Sequence, residues 1–327
     1  MRITVFGAGS VGGFLAWHMA RAGLDVAVVA RGAHFDAICR DGLTLETQGT
    51  SAGTLPITAT DDPHSLGVQD VVFVTLKQPG VAASITGLKA LSNPDTRFVF
   101  VVNGIPWWME PELDFLDPGG QLAGFIPQSQ CVGSVARIST HIDIPGRVSM
   151  DTASARFILG PAGHEASDSA QEIVSLFTSA GIEATFTDDL RPAVWDKLFL
   201  NIGFGLLAAI LGLPVGQVAS QAEAQRLLGG LLEEIRLLAK RRGVTMTMPD
   251  SIVTDPGIQN SPHQPSLLQD LNKHRPAEID ALITAPLLLA RREGISTPVL
   301  DSLAALIITK ARVLGSYSGN GVLRDGK

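Results

Sequence analysis

The segment Gly7-Ala8-Gly9-Ser10-Val11-Gly12 follows directly on the apolar run Arg2-Ile-Thr-Val-Phe6. That spacing suits the pyrophosphate of a dinucleotide. Gly7 would allow the tight turn, Gly9 would let the backbone approach phosphate without an intervening Cβ, and Gly12 would let the following helix lie close to the strand. The start of that helix would then present free N–H groups to the anion. A second apolar run, Asp25-Val-Ala-Val-Val-Ala30, ends at Arg31. An NAD site places an acid at this point for the ribose hydroxyls. A guanidinium instead binds a 2′-phosphate through paired charge-assisted hydrogen bonds, so Arg31 favours NADP(H) over NAD(H).

Further along, Lys197 and Asn201 stand four apart in Trp195-Asp-Lys-Leu-Phe-Leu-Asn201 and share one face of an apolar helix. An ammonium there either reaches out to water or is held where it can deliver a proton. Ser266 and Glu278 fall near the starts of two consecutive helices, where an N-cap hydroxyl and a first-turn acid also have structural uses. Lys77 and Asn103-Gly104 follow the apolar runs 70–75 and 97–102. Ligands of open α/β sheets bind beyond the carboxyl ends of strands, and Asn-Gly also makes a turn. Trp107 and Trp108 come next and could either wall the site or pack inside.

The elements that must carry these residues change character near residue 189. Before it, apolar runs alternate with helical segments such as 14–22 and 167–180, and the runs are continuous, as in parallel strands covered on both faces. Residues 128–159 read as strands joined by turns, and 183–187 as a last strand. After it come helices at 192–213, 220–242, 266–273, 278–293 and 298–314. The fold class is therefore α/β, with an N-terminal Rossmann-like doubly wound domain over 1–189 followed by an all-α domain over 190–327. Residues 245–265, rich in Pro, Ser, Asp and Gln, read as a flexible loop. Residues 316–327 read as a frayed tail.

A chain of 327 residues, 45% of them apolar, has material for two cores. Its net charge of −7, without a Lys/Arg tract, gives no case for nucleic acid or an anionic membrane. Cys39 and Cys131 are too few for a disulfide framework and suit a reducing compartment. No two histidines lie at ligand spacing on one helix, so no metal is expected. The start is consumed by strand and glycine turn rather than a secretory signal, which points to the cytoplasm. The apolar stretch 198–215 contains three glycines and Pro214 and reads as a buried helix rather than a membrane span.

Taken in order, these motifs resemble the ketopantoate reductase (2-dehydropantoate 2-reductase) family. The resemblance covers nearly the whole chain, adding Gly212-Leu-Pro-Val, Ser266-Leu-Leu-Gln-Asp270, Arg275-Pro-Ala-Glu278-Ile-Asp280 and Gly294-Ile-Ser-Thr-Pro298 to the motifs above. It implies NADPH-dependent reduction of a 2-oxo acid to a 2-hydroxy acid. Gly7, Ala8, Gly9, Ser10, Val11, Gly12 and Arg31 would hold the cofactor's phosphates. Lys77 and Asn103 would lie near its nicotinamide end, Asn103 also touching substrate. Lys197 corresponds to the general acid, Asn201 and Ser266 to substrate-binding residues, and Glu278 to a residue contacting cofactor and catalytic centre.

The chemistry asks for such a set, because hydride arriving at a ketone carbon leaves an alkoxide to be stabilised and protonated. A lysine ammonium does both. Partial burial would ease its proton release, whereas a nearby Glu278 would hold the proton or orient the ammonium. The chain departs from the family pattern at Gly205, Val215 and His263, where polar side chains are usual. Each change removes a hydrogen-bond partner that discriminates among substrates, so a branched or aromatic 2-oxo acid is the alternative to ketopantoate. A non-catalytic NADP(H) sensor would not need Lys197, Asn201, Ser266 and Glu278 together. The apolar helices could pack internally or across a homodimer interface.

Overall fold

The computed structural model describes residues 1–152 and 154–319. The chain divides into two compact units, one of residues 1–102 and 117–190 and one of residues 103–116 and 191–327. The segment 103–116 thus packs with the second unit, although it sits mid-way along the first in sequence.

The first unit is built on an eight-stranded sheet in the order β12-β11-β8-β7-β6-β1-β2-β5. These are β1 (Arg2–Phe6), β2 (Asp25–Val29), β5 (Thr58–Thr60), β6 (Val71–Val74), β7 (Arg97–Phe100), β8 (Cys131–Arg137), β11 (Arg156–Pro161) and β12 (Glu183–Phe186). β1 lies parallel between β2 and β6, with Val5 opposite both Val28 and Phe73. Only the β8–β11 pairing is antiparallel within this sheet. Helices α1 (Ser10–Arg21) and α5 (Ser167–Ser179) cover one face, where Phe177 meets Phe73 and Phe157 at centroid distances of 5.7 and 5.1 Å. The short helices α2 (Gly32–Asp41), α3 (Gln78–Ala83) and α4 (Ile85–Ala90) follow β2 and β6.

A second sheet, β4-β3-β10-β9, goes beyond the doubly wound expectation. It joins the hairpin β3 (Leu43–Thr47) and β4 (Thr50–Leu55) to β9 (Thr140–His141) and β10 (Arg147–Met150). Gln48 and Gly49 both take positive φ, the two-residue turn that matches strand twist. Consecutive glycines in α1 serve the two sheets: a Cβ at Gly12 would collide with the Gly7 carbonyl and Thr75, and one at Gly13 would stand 2.6 Å from Val148 of β10.

The second unit is helical: α6 (Arg191–Leu200), α7 (Leu206–Leu211), α8 (Val215–Ala219), α9 (Ala222–Arg241), α10 (Pro256–Gln259), α11 (Ser266–Asn272), α12 (Ala285–Arg292) and α13 (Pro298–Val313). α13 packs on α7 and α9, and α12 on α9. Glu234 accepts from the amides of Val299 and Leu300 at 2.8 and 2.9 Å, satisfying orphan donors at the start of α13. Lys310 Nζ donates to the carbonyls of Ala209 and Ile210, closing the end of α7. The stretch Arg191–Leu211 is long and apolar enough to cross a membrane, and most of it is buried inside the fold.

Three sequence expectations change here. The helix read as unbroken over 192–213 carries a π turn, Asn201–Gly205, between α6 and α7. Residues 245–265 are not a free loop, because they hold the 3₁₀ turn Asp250–Thr254 and α10 and are tied to α6, α8 and α9. Ser316 is buried rather than frayed, while residues 320–327 lie outside the described residues.

Candidate active site

In the first unit the carboxyl ends of β1, β2 and β6 lie along one edge, and β1 and β6 flank the point where the strand order reverses, which is where such sheets bind ligands. Gly7 takes φ +105°, open to glycine alone at little strain, and its N–H donates to the Val29 carbonyl at 3.0 Å. Thr75, just past β6, closes the turn by donating its hydroxyl to the Gly7 carbonyl at 2.5 Å. Nothing lies within 4 Å of the position a Cβ would take on Gly9. Gly9 is also the N-cap of α1 and offers no side-chain cap, so the helix's first amides remain for an anion.

Arg31 caps α2 in extended conformation and is exposed. Its guanidinium has no hydrogen-bond or ion-pair partner among the described residues. Lys77 occupies the same station before α3, also exposed. Open space at Gly9 and uncapped amides fit the pyrophosphate of a pyridine dinucleotide, and the guanidinium past β2 adds a cation at the same edge of the sheet. His34, three residues after Arg31, went unnoticed in the sequence. It accepts the Gly146 N–H on Nδ1 at 2.8 Å, and burial holds its pKa below the usual histidine range, with the Ala8 carbonyl opposing. The imidazole therefore ties the turn before β10 to α2.

In the second unit the candidate residues gather about two π turns that touch each other. The first begins at Asn201, one turn beyond Lys197. The second, Asp280–Thr284, begins two residues after Glu278. Pro286 accounts for the second: it has no N–H to give Leu282, four residues back, and its ring crowds that carbonyl, so the helix widens ahead of it. A π turn also frees carbonyls from the helical ladder. That of Ala281 accepts the N–H of Ile105 at 3.1 Å. Gly104, at φ +79°, lies so close beneath it that a Cβ would stand 2.5 Å from that oxygen. The Asn103-Gly104-Ile105 turn is thereby fixed on the π turn that follows Glu278, and Asn103 Nδ2 faces Glu278 Oε2 at 3.4 Å.

Glu278 is buried, Lys197 and Asn201 are half-buried, and Ser266 is exposed. The Asn201 amide and the Ser266 hydroxyl have no partner among the described residues, which leaves both available to a ligand. Ser266 is not the N-cap, a position Pro265 takes, but the first residue of α11. α11 packs on the first π turn, and a Cβ at Gly205 would sit 3.6 Å from Pro265, in ordinary contact. The backbone joins Val215 to His263 by a 2.9 Å hydrogen bond. Trp107 and Trp108 are buried edge to face, centroids 5.5 Å apart.

Sequence reasoning missed Asp196. Its carboxylate, 2% exposed, accepts from the amides of Thr247 and Met248 at 3.1 Å and from the Thr247 hydroxyl. The residue next to Lys197 thus pins the 245–248 segment to α6. An acid inside an apolar helix was the available signal, since such a group is buried only when hydrogen-bonded.

The family models for ketopantoate reductase PanE/ApbA and for its C-terminal domain match residues 3–164 and 189–311. The chain belongs to the ketopantoate reductase family. It is an oxidoreductase of that family, 32% identical to the 2-dehydropantoate 2-reductase of Mesorhizobium japonicum over 97% of this chain and 100% of that one. The 2-dehydropantoate 2-reductase of Caulobacter vibrioides is 28% identical, covering 93% of this chain and 97% of its own. Among solved family structures, the 2-dehydropantoate 2-reductase of Geobacter metallireducens superposes with a TM-score of 0.85 at 28% identity, covering 94% and 99% of the two chains. A D-mandelate dehydrogenase solved with NADH and anilino(oxo)acetate shares the fold, with a TM-score of 0.86 at 20% identity over 97% of this chain and 100% of its own.

Proposed function

We propose that this enzyme uses NADPH to reduce a 2-oxo acid to the 2-hydroxy acid, with 2-dehydropantoate (ketopantoate) going to pantoate in pantothenate biosynthesis as the first substrate. The observation that carries this reading is the pair of touching π turns, which bring the elements of Lys197, Asn201, Ser266, Asn103 and Glu278 together around two side chains that have no partner among the described residues.

The reduced nicotinamide, when bound, supplies the hydride to the substrate's ketone carbon. The chain's own residues do the rest. Lys197 holds the proton for the carbonyl oxygen, and its ammonium offsets the negative charge that grows there. Asn201 and Ser266 bind the substrate's oxygens. Glu278 orients the Asn103 amide, which also meets the substrate. The glycine turn 7–12 holds the pyrophosphate through the open amides at the start of α1, Arg31 holds the 2′-phosphate, and Lys77 lies toward the nicotinamide end.

A second substrate reading is favoured by Gly205. With no side chain there, the space beside Pro265 that a Cβ would enter stays open, which suits a branched or aromatic acyl group larger than that of ketopantoate. The test is oxidation of NADPH, with NADH in parallel, on ketopantoate and a panel of 2-oxo acids. Turnover on ketopantoate supports the first reading and turnover only on bulkier acids the second. Tight NADPH binding without turnover on any acid contradicts both and favours a sensor.

A further inference from the structure

Residues 275–278 lie in neither helix nor strand, yet they end in Glu278. A segment without ladder hydrogen bonds takes its position from whatever else holds it. Here the holder is the chain just beyond α13. That helix ends in a Schellman motif, with the Ser316 N–H donating to the Ala311 carbonyl at 2.8 Å and the Gly315 N–H to that of Arg312 at 3.0 Å. The reversal lays residues 314–317 along residues 274–280.

The contacts run in register. His274 Nδ1 stands 3.1 Å from the Leu314 carbonyl. The Ala277 N–H donates to the Ser316 carbonyl at 2.9 Å. Tyr317 Oη donates to Asp280 Oδ1 at 2.6 Å, and Thr284 donates to the same oxygen at 3.0 Å. The Arg312 guanidinium lies 5.8 Å from the centre of the Tyr317 ring and holds the Gly319 carbonyl at 2.9 Å. Glu278 is therefore bracketed on both sides, at Ala277 and at Asp280, by bonds to the strap.

We propose that residues 314–317 are a positioning element of the catalytic centre and that Tyr317 is a positioning residue acting through Asp280 on Glu278. The proposal rests on the reductase reading for the role of Glu278. The strap fixes where the carboxylate meets Asn103 and anchors the mouth of the second π turn. Tyr317 touches neither substrate nor cofactor.

The experiment compares the full-length enzyme with Tyr317→Phe, Asp280→Ala and Asp280→Asn, by steady-state kinetics and by hydrogen exchange of peptides spanning 274–284. Tyr317→Phe and Asp280→Ala each lower kcat about tenfold, the rate equivalent of one hydrogen bond to a charged group, with NADPH affinity unchanged. Asp280→Asn keeps an oxygen acceptor and recovers most of that loss. Exchange quickens over 274–284 in Tyr317→Phe and not over α6. Wild-type kcat together with wild-type exchange in Tyr317→Phe overturns the proposal, as does an equal loss in Asp280→Asn and Asp280→Ala. A wild-type enzyme inert on every 2-oxo acid contradicts the reductase reading instead, and faster exchange over 274–284 still supports the strap.

Discussion

The side-chain amide of Asn103 faces the carboxylate of Glu278 at 3.4 Å across 175 residues of chain. What sets that distance is a backbone contact one residue away, where Gly104 lies under the Ala281 carbonyl and Ile105 donates to it. The π turn is the cause, because it frees a carbonyl that a regular α-helix would have used.

Gly104→Ala tests this contact. Gly104 and Gly23 share φ +79°, but nothing lies within 4 Å of a Cβ at Gly23. Gly23→Ala should cost about 1 kcal/mol, the left-handed penalty alone. Gly104→Ala should cost about 3 kcal/mol once the clash is added, and should lower kcat as well. Chemical denaturation of both variants checks it, and equal losses would mean that the Ala281 contact yields freely.

Arg31→Ala should weaken NADPH by about ten- to a hundredfold, the worth of hydrogen bonds to a charged phosphate. NADH, which has no 2′-phosphate, should be nearly unaffected. Fluorescence titration of each nucleotide reads this out. Equal losses for both would remove Arg31 from the 2′-phosphate.

Gly205→Ala should fold normally, since its Cβ meets only Pro265 at contact distance. Its kcat/KM on bulky 2-oxo acids should fall about tenfold relative to small ones, the scale of one methyl group in an apolar pocket. A uniform fall across the panel would place Gly205 away from the substrate's acyl group.

The pH dependence of stability should carry the mark of Glu110. Three carboxylates share Arg242: Glu110, Glu112 at 2.8 Å and Glu293 at 3.1 Å. Burial pushes Glu110 up to about 7, against the opposing pull of Arg242. A folded pKa above the unfolded one means that this group's contribution is complete below about pH 4.5 and is lost as pH rises through 7. Between those limits it amounts to at most about 3 kcal/mol. Urea unfolding from pH 4.5 to 8 should show a fall that Glu110→Gln flattens. Parallel profiles in the two proteins would contradict it.

Much of this was legible in the sequence because each signal was local. The glycine turn, the apolar runs and the helices after residue 190 follow from period and spacing. The second sheet was hidden because β3 and β4 form a short hairpin and β3 pairs with β10 about a hundred residues later. The π turn at 201–205 cannot be read from the sequence, because the apolar residues on either side of Asn201 continue as they would in a regular helix. Asn103 could be placed at the end of a strand, but its partner Glu278 is fixed by packing that no short-range pattern carries. Tyr317 looked like part of a polar tail because its anchor, Asp280, lies on another element.

The most direct test of the account is the turnover of Lys197→Ala with NADPH and the best 2-oxo acid, set against the wild type. The account predicts a loss in kcat of at least about a hundredfold, the low end for general acid catalysis, with NADPH affinity retained. Wild-type turnover in Lys197→Ala would contradict it and leave the proton to come from another group.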